Sequence, residues 1–121
     1  MASFDIQLHR LRFFARHGVY EEERSIGNDF EVNLSMTVRA PKERLDSIEQ
    51  TINYAEVYRI VAEIFVVPQA LLETLAQQMA EAIRQSFPAV KKLSIQIIKL
   101  HPPIASFTGA VSVTYRRKYK N

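Results

Sequence analysis

The sequence predicts an α+β fold in which a four-stranded antiparallel sheet is covered on one face by two helices. Apolar residues alternate with a period of two in four segments, and they recur at helical spacing in two segments between them. The element order is therefore β-β-α-α-β-β. Because strands in hairpin pairs flank a helical pair, we expect an antiparallel sheet with one packed face. The uncovered face and the two edges favour association with other copies of the chain.

Residues 4–16 are predicted to form the first strand. Its apolar alternation changes phase between Leu8 and Leu11, which predicts a β-bulge near His9–Arg10. Residues 29–39 are predicted to form the second strand, because five apolar residues occupy one face and polar residues occupy the other.

Two helices are predicted over residues 54–66 and 71–86. Asn53 or Thr51 can cap the first helix, and the second must end before Pro88. The stripes expected to face the sheet comprise Val57, Ile60, Val61 and Ile64 in the first helix and Leu71, Leu72, Leu75, Met79 and Ile83 in the second.

The last two strands are predicted over residues 93–99 and 109–117. Lys99 continues the apolar face of its strand, and Pro102–Pro103 stop that strand. A lysine whose stem packs and whose ammonium reaches water is the usual reading of such a position. The alternative is a partly desolvated amine suited to proton transfer, and the pattern alone leaves both open.

Length and composition limit the possible classes of protein. The 121 residues indicate one domain over 1–121, and the absence of cysteine excludes disulfides and cysteine-ligated metals. We expect no signal peptide and no membrane span, and hence a cytoplasmic protein. The net charge of +3 includes the basic end "RRKYKN", which we interpret as a solvated tail rather than a nucleic-acid site.

The three histidines lack the spacing of metal ligands, so we expect no metal site. The sequence has no GxGxxG motif and no P-loop, which disfavours a nucleotide-phosphate cradle. Three acidic or aromatic features have both a structural and a functional reading. Glu73 lies in the first turn of its helix, where its negative charge interacts favourably with the positive end of the helix dipole. The functional reading is a carboxylate that binds a ligand at the mouth of a pocket. Glu21, Glu22 and Glu23 lie in a predicted acidic loop between two strands, and loops of this kind often bind ligands. Tyr54 packs at a helix start or serves a site.

Taken together, four segments resemble the dihydroneopterin aldolase family. They are "RFFARHGVYEEERSIGNDFEVNL" (12–34), "TINYAEV" (51–57), "LLETLAQQMA" (71–80) and "IIKLHPPI" (97–104). The resemblance implies the tunnelling fold, with subunits oligomerising into a barrel. It also implies retro-aldol cleavage of 7,8-dihydroneopterin, without cofactor, metal or Schiff base and with 2′-epimerase side activity.

The resemblance implies catalytic roles for three residues of this chain. Lys99 matches the lysine of the proton-transfer network, and Glu23 matches the glutamate that orients it. Tyr54 matches the tyrosine that protonates the intermediate. In the family this tyrosine comes from an adjacent subunit.

The resemblance also implies the substrate-binding residues. The carboxylate of Glu73 would hold the pterin, with the backbone at Leu72 assisting. Ile52 and Asn53 would complete the pocket of a neighbouring subunit in a tetramer ring or an octamer. Asn53 replaces a histidine of some members, and the segment at 105–109 lacks a Pro-Gly-His-like sequence.

Two other functions stay open on these residues. An epimerase of dihydroneopterin triphosphate would need cations near the phosphates. Arg24 could supply one such charge, whereas the acidic segment next to it argues against this function. A non-catalytic oligomeric module that binds pterin would have no reason to keep Tyr54 as a proton donor.

Overall fold

The computed structural model of the protein describes residues 2–120, and it has the predicted element order with two short additions. The elements are β1 (Ser3–Ala15), α1 (Glu21–Ile26), β2 (Asn28–Arg39), a 3₁₀ turn (Ile48–Gln50), α2 (Tyr54–Phe65), α3 (Leu72–Ser86), β3 (Lys92–Lys99) and β4 (Val111–Lys118). The strands form one antiparallel sheet in the order β1-β2-β3-β4. Within the described residues, no helix has the length and hydropathy needed to cross a membrane.

The predicted bulge in β1 is confirmed. The register of β1 against β2 shifts between Leu8 and Leu11, and Arg10 adopts a positive φ of 54°. The backbone N–H of Arg10, displaced from the ladder, donates a hydrogen bond to the side-chain oxygen of Asn33 at 2.8 Å. The extra residue therefore keeps the apolar face of β1 in phase on both sides of the bulge.

The core lies between one face of the sheet and the two long helices, as predicted. Ile64 packs against the core although it is only partly buried, and Phe65, which the predicted stripe left out, is fully buried. One assignment in the helical stripes was wrong. Leu71 is half exposed because it precedes α3 in an extended conformation and so does not share the helix's apolar face.

Asn53, rather than Thr51, caps α2. Its side-chain oxygen accepts hydrogen bonds from the backbone N–H groups of Ala55 and Glu56, at 3.1 and 3.4 Å. These bonds satisfy two of the amides that an α-helix leaves free at its start.

The acidic segment predicted as a loop is instead the short helix α1, Glu21–Ile26. The negative charges of three glutamates in its first turn interact favourably with the positive end of the helix dipole. The Glu23 carboxylate also accepts a hydrogen bond from the backbone N–H of Tyr20, which precedes the helix. Gly27 ends it with a φ of 82°, a conformation that favours glycine.

The sheet has two ends that are separated by the length of β3. Phe30 of β2 pairs with Lys99 at one end, which we call the lysine end, and Thr37 pairs with Lys92 at the other. At about 3.3 Å per residue, the two ends lie roughly 23 Å apart. β4 begins at Val111, two residues later than predicted, because Val111 pairs with Lys99 and β3 has no residue beyond it to pair with.

Candidate active site

Lys99 is the last residue of β3 and lies on the core face of the sheet. Its side chain is only 12% exposed, and its ammonium lies 5.9 Å from the centre of the Phe30 ring. The alternation of β3 directs Lys99 inward, and the end of the strand leaves its amine near an opening instead of deep in the core. The reading of Lys99 as a partly desolvated amine thus agrees with its burial.

The partner of Lys99 is Glu23 of α1. Lys99 Nζ lies 2.5 Å from Glu23 Oε2, and the Glu23 side chain is 11% exposed. Burial raises the pKa of the Glu23 carboxyl, but the hydrogen bonds from Lys99 and from the N–H of Tyr20 outweigh this effect and leave the pKa lowered. At neutral pH the two side chains therefore form a largely desolvated ion pair.

Gly18 makes room for the Glu23 side chain. A Cβ added at Gly18 would lie 2.4 Å from Cβ and 2.5 Å from Cδ of Glu23. The guanidinium of Arg24 donates hydrogen bonds to the backbone carbonyls of Gly18 and Val19, at 3.1 and 3.3 Å. The segment before α1 and the helix itself are therefore packed closely enough to fix the Glu23 carboxylate.

His17 is a buried residue that sequence reasoning did not select. It is 1% exposed, and its ring makes edge contacts with Phe30 and Phe65, at centroid distances of 5.3 and 4.8 Å. Its Nδ1 accepts a hydrogen bond from the N–H of Gln69 at 3.0 Å, while Nε2 makes no hydrogen bond within the described residues. Burial lowers the pKa of His17, the carbonyl of Phe65 offsets part of this effect, and the charge of Lys99 lowers the pKa further.

Glu73 and Leu72 begin α3 at the same end of the sheet as Lys99. The link before α3 is held there by Gln69, whose N–H donates to His17, and His17 packs on Phe30 opposite Lys99. Leu72 is buried, whereas Glu73 is exposed. An exposed carboxylate at this end of the sheet can bind a polar ligand without breaking a contact in the core.

Ile52, Asn53 and Tyr54 lie at the opposite end of the sheet. Ile52 and Asn53 line a cavity of about 760 Å³ that also contacts Arg39, at the end of β2 remote from Phe30. Tyr54 starts α2 and is 63% exposed. A single chain therefore does not bring these three residues to Lys99.

A second cavity adjoins Glu23, with a volume of about 330 Å³. Asn28 and His101 both line this cavity. Asn28 donates its side-chain N–H to the carbonyl of His101 at 2.7 Å and accepts the N–H of His101 at 3.2 Å. This reciprocal pair of hydrogen bonds holds the turn after β3. From the sequence, only Pro102–Pro103 were expected to fix this turn.

Comparison with known proteins identifies the family of this chain. The family model for FolB, dihydroneopterin aldolase, matches residues 6–116. The chain belongs to the dihydroneopterin aldolase family. The dihydroneopterin aldolase of Bacillus subtilis is 34% identical over 115 residues, which cover 93% of this chain and 96% of that protein.

Solved structures of dihydroneopterin aldolases have the same fold. A Vibrio cholerae protein provisionally described as a member aligns with a TM-score of 0.82 and 26% identity, over 98% of this chain and 100% of that chain. The Escherichia coli enzyme, solved with neopterin, aligns with a TM-score of 0.78 and 22% identity, over 94% and 98% of the two chains. The predicted tunnelling fold is confirmed, and its assembly into a barrel stays a prediction.

Proposed function

We propose that this protein is a lyase that splits 7,8-dihydroneopterin into 6-hydroxymethyl-7,8-dihydropterin and glycolaldehyde in folate biosynthesis. The observation that carries the proposal is the desolvated contact of 2.5 Å between Lys99 and Glu23, in a chain of the dihydroneopterin aldolase family. The start of α3, with its exposed Glu73, lies at the same end of the sheet. The name borne by the Bacillus subtilis relative supports the reaction.

The substrate supplies its own electron sink for this reaction. When the bond between C1′ and C2′ breaks, its electron pair forms a C1′=C6 double bond, the N5=C6 π electrons move to N5, and N5 takes up a proton. The 2′-hydroxyl loses its proton and becomes the aldehyde of glycolaldehyde. The enamine intermediate then accepts a proton at C1′ while N5 loses its proton, which restores the N5=C6 imine and gives the hydroxymethyl product. The protein therefore has to move protons and hold the ring, with no metal or Schiff base.

Lys99 and Glu23 would move these protons. An ammonium has three N–H donors, and Glu23 occupies one of them. The remaining donors can reach the substrate or a bridging water near N5, while the ionised Glu23 holds the amine in place. Desolvation strengthens these interactions relative to water.

Glu73 and Leu72 would hold the pterin ring. The two oxygens of Glu73 can accept N3–H and the 2-amino group in parallel, as a carboxylate does with a guanidinium. Glu73 forms no ion pair with another residue between 2 and 120, so its carboxylate is available for such a ligand. The backbone at Leu72 would assist at O4.

The site would be completed by a neighbouring subunit that contributes Ile52, Asn53 and Tyr54. The separation of roughly 23 Å along the sheet supports sharing, because Tyr54 cannot reach Lys99 of its own chain. The high exposure of Tyr54 also suits a residue that meets another copy. We expect a tetramer ring or an octamer, and we propose a cytoplasmic location, with which a chain that has no cysteine is compatible.

Two related activities depend on the same site. Re-addition of the intermediate, through C1′, to the opposite face of the glycolaldehyde carbonyl would invert C2′ and would give a 2′-epimerase side activity. Epimerisation of dihydroneopterin triphosphate is a weaker candidate, because Arg24 already binds the carbonyls of Gly18 and Val19. Phosphates would therefore have to compete with these internal contacts.

The test compares free 7,8-dihydroneopterin with its triphosphate as substrates of the wild-type protein. We expect glycolaldehyde and the hydroxymethyl pterin in equal amounts from the free substrate, and much slower turnover of the triphosphate. Faster epimerisation of the triphosphate with no glycolaldehyde would favour the epimerase. Pterin binding without turnover of either substrate would favour a binding module.

A further inference from the structure

The main chain of Gln69 is held on both sides by the dipeptide His17–Gly18. The N–H of Gln69 donates to His17 Nδ1 at 3.0 Å, and the carbonyl of Gln69 accepts the N–H of Gly18 at 3.0 Å. We call this pair of hydrogen bonds the Gln69 clamp. It connects the end of β1 to the link that leads into α3.

The clamp requires a neutral imidazole. Nδ1 can accept a hydrogen bond only while it carries no proton, and the neutral ring then carries its proton on Nε2. The ring is 1% exposed and lies against Phe30 and Phe65. The same burial lowers the pKa of His17, so its environment preserves the acceptor at neutral pH.

The two ends of the clamp support different parts of the proposed site. Gly18 provides the space occupied by the Glu23 side chain, which binds Lys99. Gln69 lies in the link before α3, whose first turn carries Glu73. We propose that His17 is a positioning residue that fixes Glu73, the pterin anchor, relative to the Lys99–Glu23 pair. This inference rests on the proposed function.

A role in packing alone makes a different prediction, which two substitutions separate. His17→Leu fills the buried space with apolar atoms but leaves the N–H of Gln69 without its acceptor. His17→Asn fills the space less well, yet its side-chain oxygen can take the place of Nδ1 as acceptor. Packing alone therefore favours leucine, whereas the clamp favours asparagine.

We expect the KM for 7,8-dihydroneopterin to rise by about tenfold or more in His17→Leu, because the pterin anchor shifts relative to Lys99. In His17→Asn we expect the KM to stay within about threefold of wild type, even if this variant melts at a lower temperature. The turnover number should change less than the KM in both. Ile83→Val, a buried change further along α3, controls for lost packing and should lower the melting temperature without changing the KM.

A KM as good in His17→Leu as in His17→Asn would overturn the positioning role. If neither variant folds, amide hydrogen exchange in the wild-type protein decides. The Gln69 amide should exchange slowly, and exchange as fast as that of a free loop would overturn the clamp. Absence of turnover in the wild type would instead contradict the proposed function, so the two failures are distinguishable.

Discussion

A single added methyl group at Gly18 should disable the enzyme by displacing Glu23. In Gly18→Ala the new Cβ would lie 2.4 Å from the Cβ of Glu23, and ordinary contact begins at 3.4 Å, so Glu23 must retreat by about 1 Å. Rotation of the side chain cannot relieve this clash, because the Cβ of Glu23 moves only with the backbone of α1. The same shift disturbs the contact of 2.5 Å to Lys99.

We expect turnover of 7,8-dihydroneopterin to fall by about 100-fold in Gly18→Ala, since an error of 1 Å in a catalytic group is enough for such a loss. Overpacking should also reduce the free energy of unfolding by about 1–3 kcal/mol. The assay is the rate of glycolaldehyde release, measured at a temperature where circular dichroism shows both proteins to be folded.

A double-mutant cycle with Glu23→Ala tests whether the added methyl acts through the carboxylate. Once Glu23 is truncated, the additional change Gly18→Ala should cost little further activity. A Gly18→Ala variant that turns over within about threefold of wild type would refute the reasoning, since it would show that the position of Glu23 tolerates the shift. Additive losses would show that the methyl acts elsewhere.

Three further predictions concern the charged and shared parts of the site. Glu23→Gln should lower the free energy of unfolding by about 1–3 kcal/mol at pH 7. Because the folded-state pKa of Glu23 is lowered, this difference from wild type should shrink as the pH falls below the reference value of 4.5, and urea unfolding that shows a constant difference would contradict it. Glu73→Gln should raise the KM by about 10- to 100-fold with a smaller change in turnover number, and an unchanged KM would remove Glu73 from the pterin site. Tyr54→Phe and Lys99→Ala should each be slow alone. When equal amounts of the two variants are mixed and reassembled, about a quarter of the shared sites should combine an intact Lys99 with an intact Tyr54 and recover activity. No recovery would contradict shared sites.

The repeating features of the fold could be predicted from the sequence. Alternation with a period of two located all four strands, and the phase shift between Leu8 and Leu11 located the bulge. Helical spacing located α2 and α3, although Leu71 was placed on the wrong side of a helix boundary. Such features follow from local periodicity, which a single sequence displays directly.

Features that depend on contacts between distant segments were harder to predict. The segment of Glu21 to Glu23 was expected to be a loop, because six residues give too little periodicity to indicate a helix. A role for His17 could not be predicted, because its hydrogen-bond partner Gln69 is 52 residues away in the chain. The pairing of Asn28 with His101 was missed for the same reason.

The candidate site was predicted only in part by pattern. The alternation of β3 identified Lys99 as unusual. The resemblance of the sequence to the dihydroneopterin aldolase family suggested Glu23 as its partner, and the contact of 2.5 Å between the two side chains supports that pairing. Pattern alone gave no reason to connect Glu73 or Tyr54 with Lys99. Tyr54 lies at the opposite end of the sheet in its own chain, so its role depends on an assembly that one sequence does not display.

The most direct test of the account is the product yield from 7,8-dihydroneopterin with the wild-type protein and with Lys99→Ala. We expect equal amounts of glycolaldehyde and 6-hydroxymethyl-7,8-dihydropterin from wild type. We also expect Lys99→Ala to bind the pterin, measured by fluorescence, while its turnover falls by about 100-fold or more. A wild-type protein that releases no glycolaldehyde, or a Lys99→Ala variant within a fewfold of wild-type turnover, would contradict it.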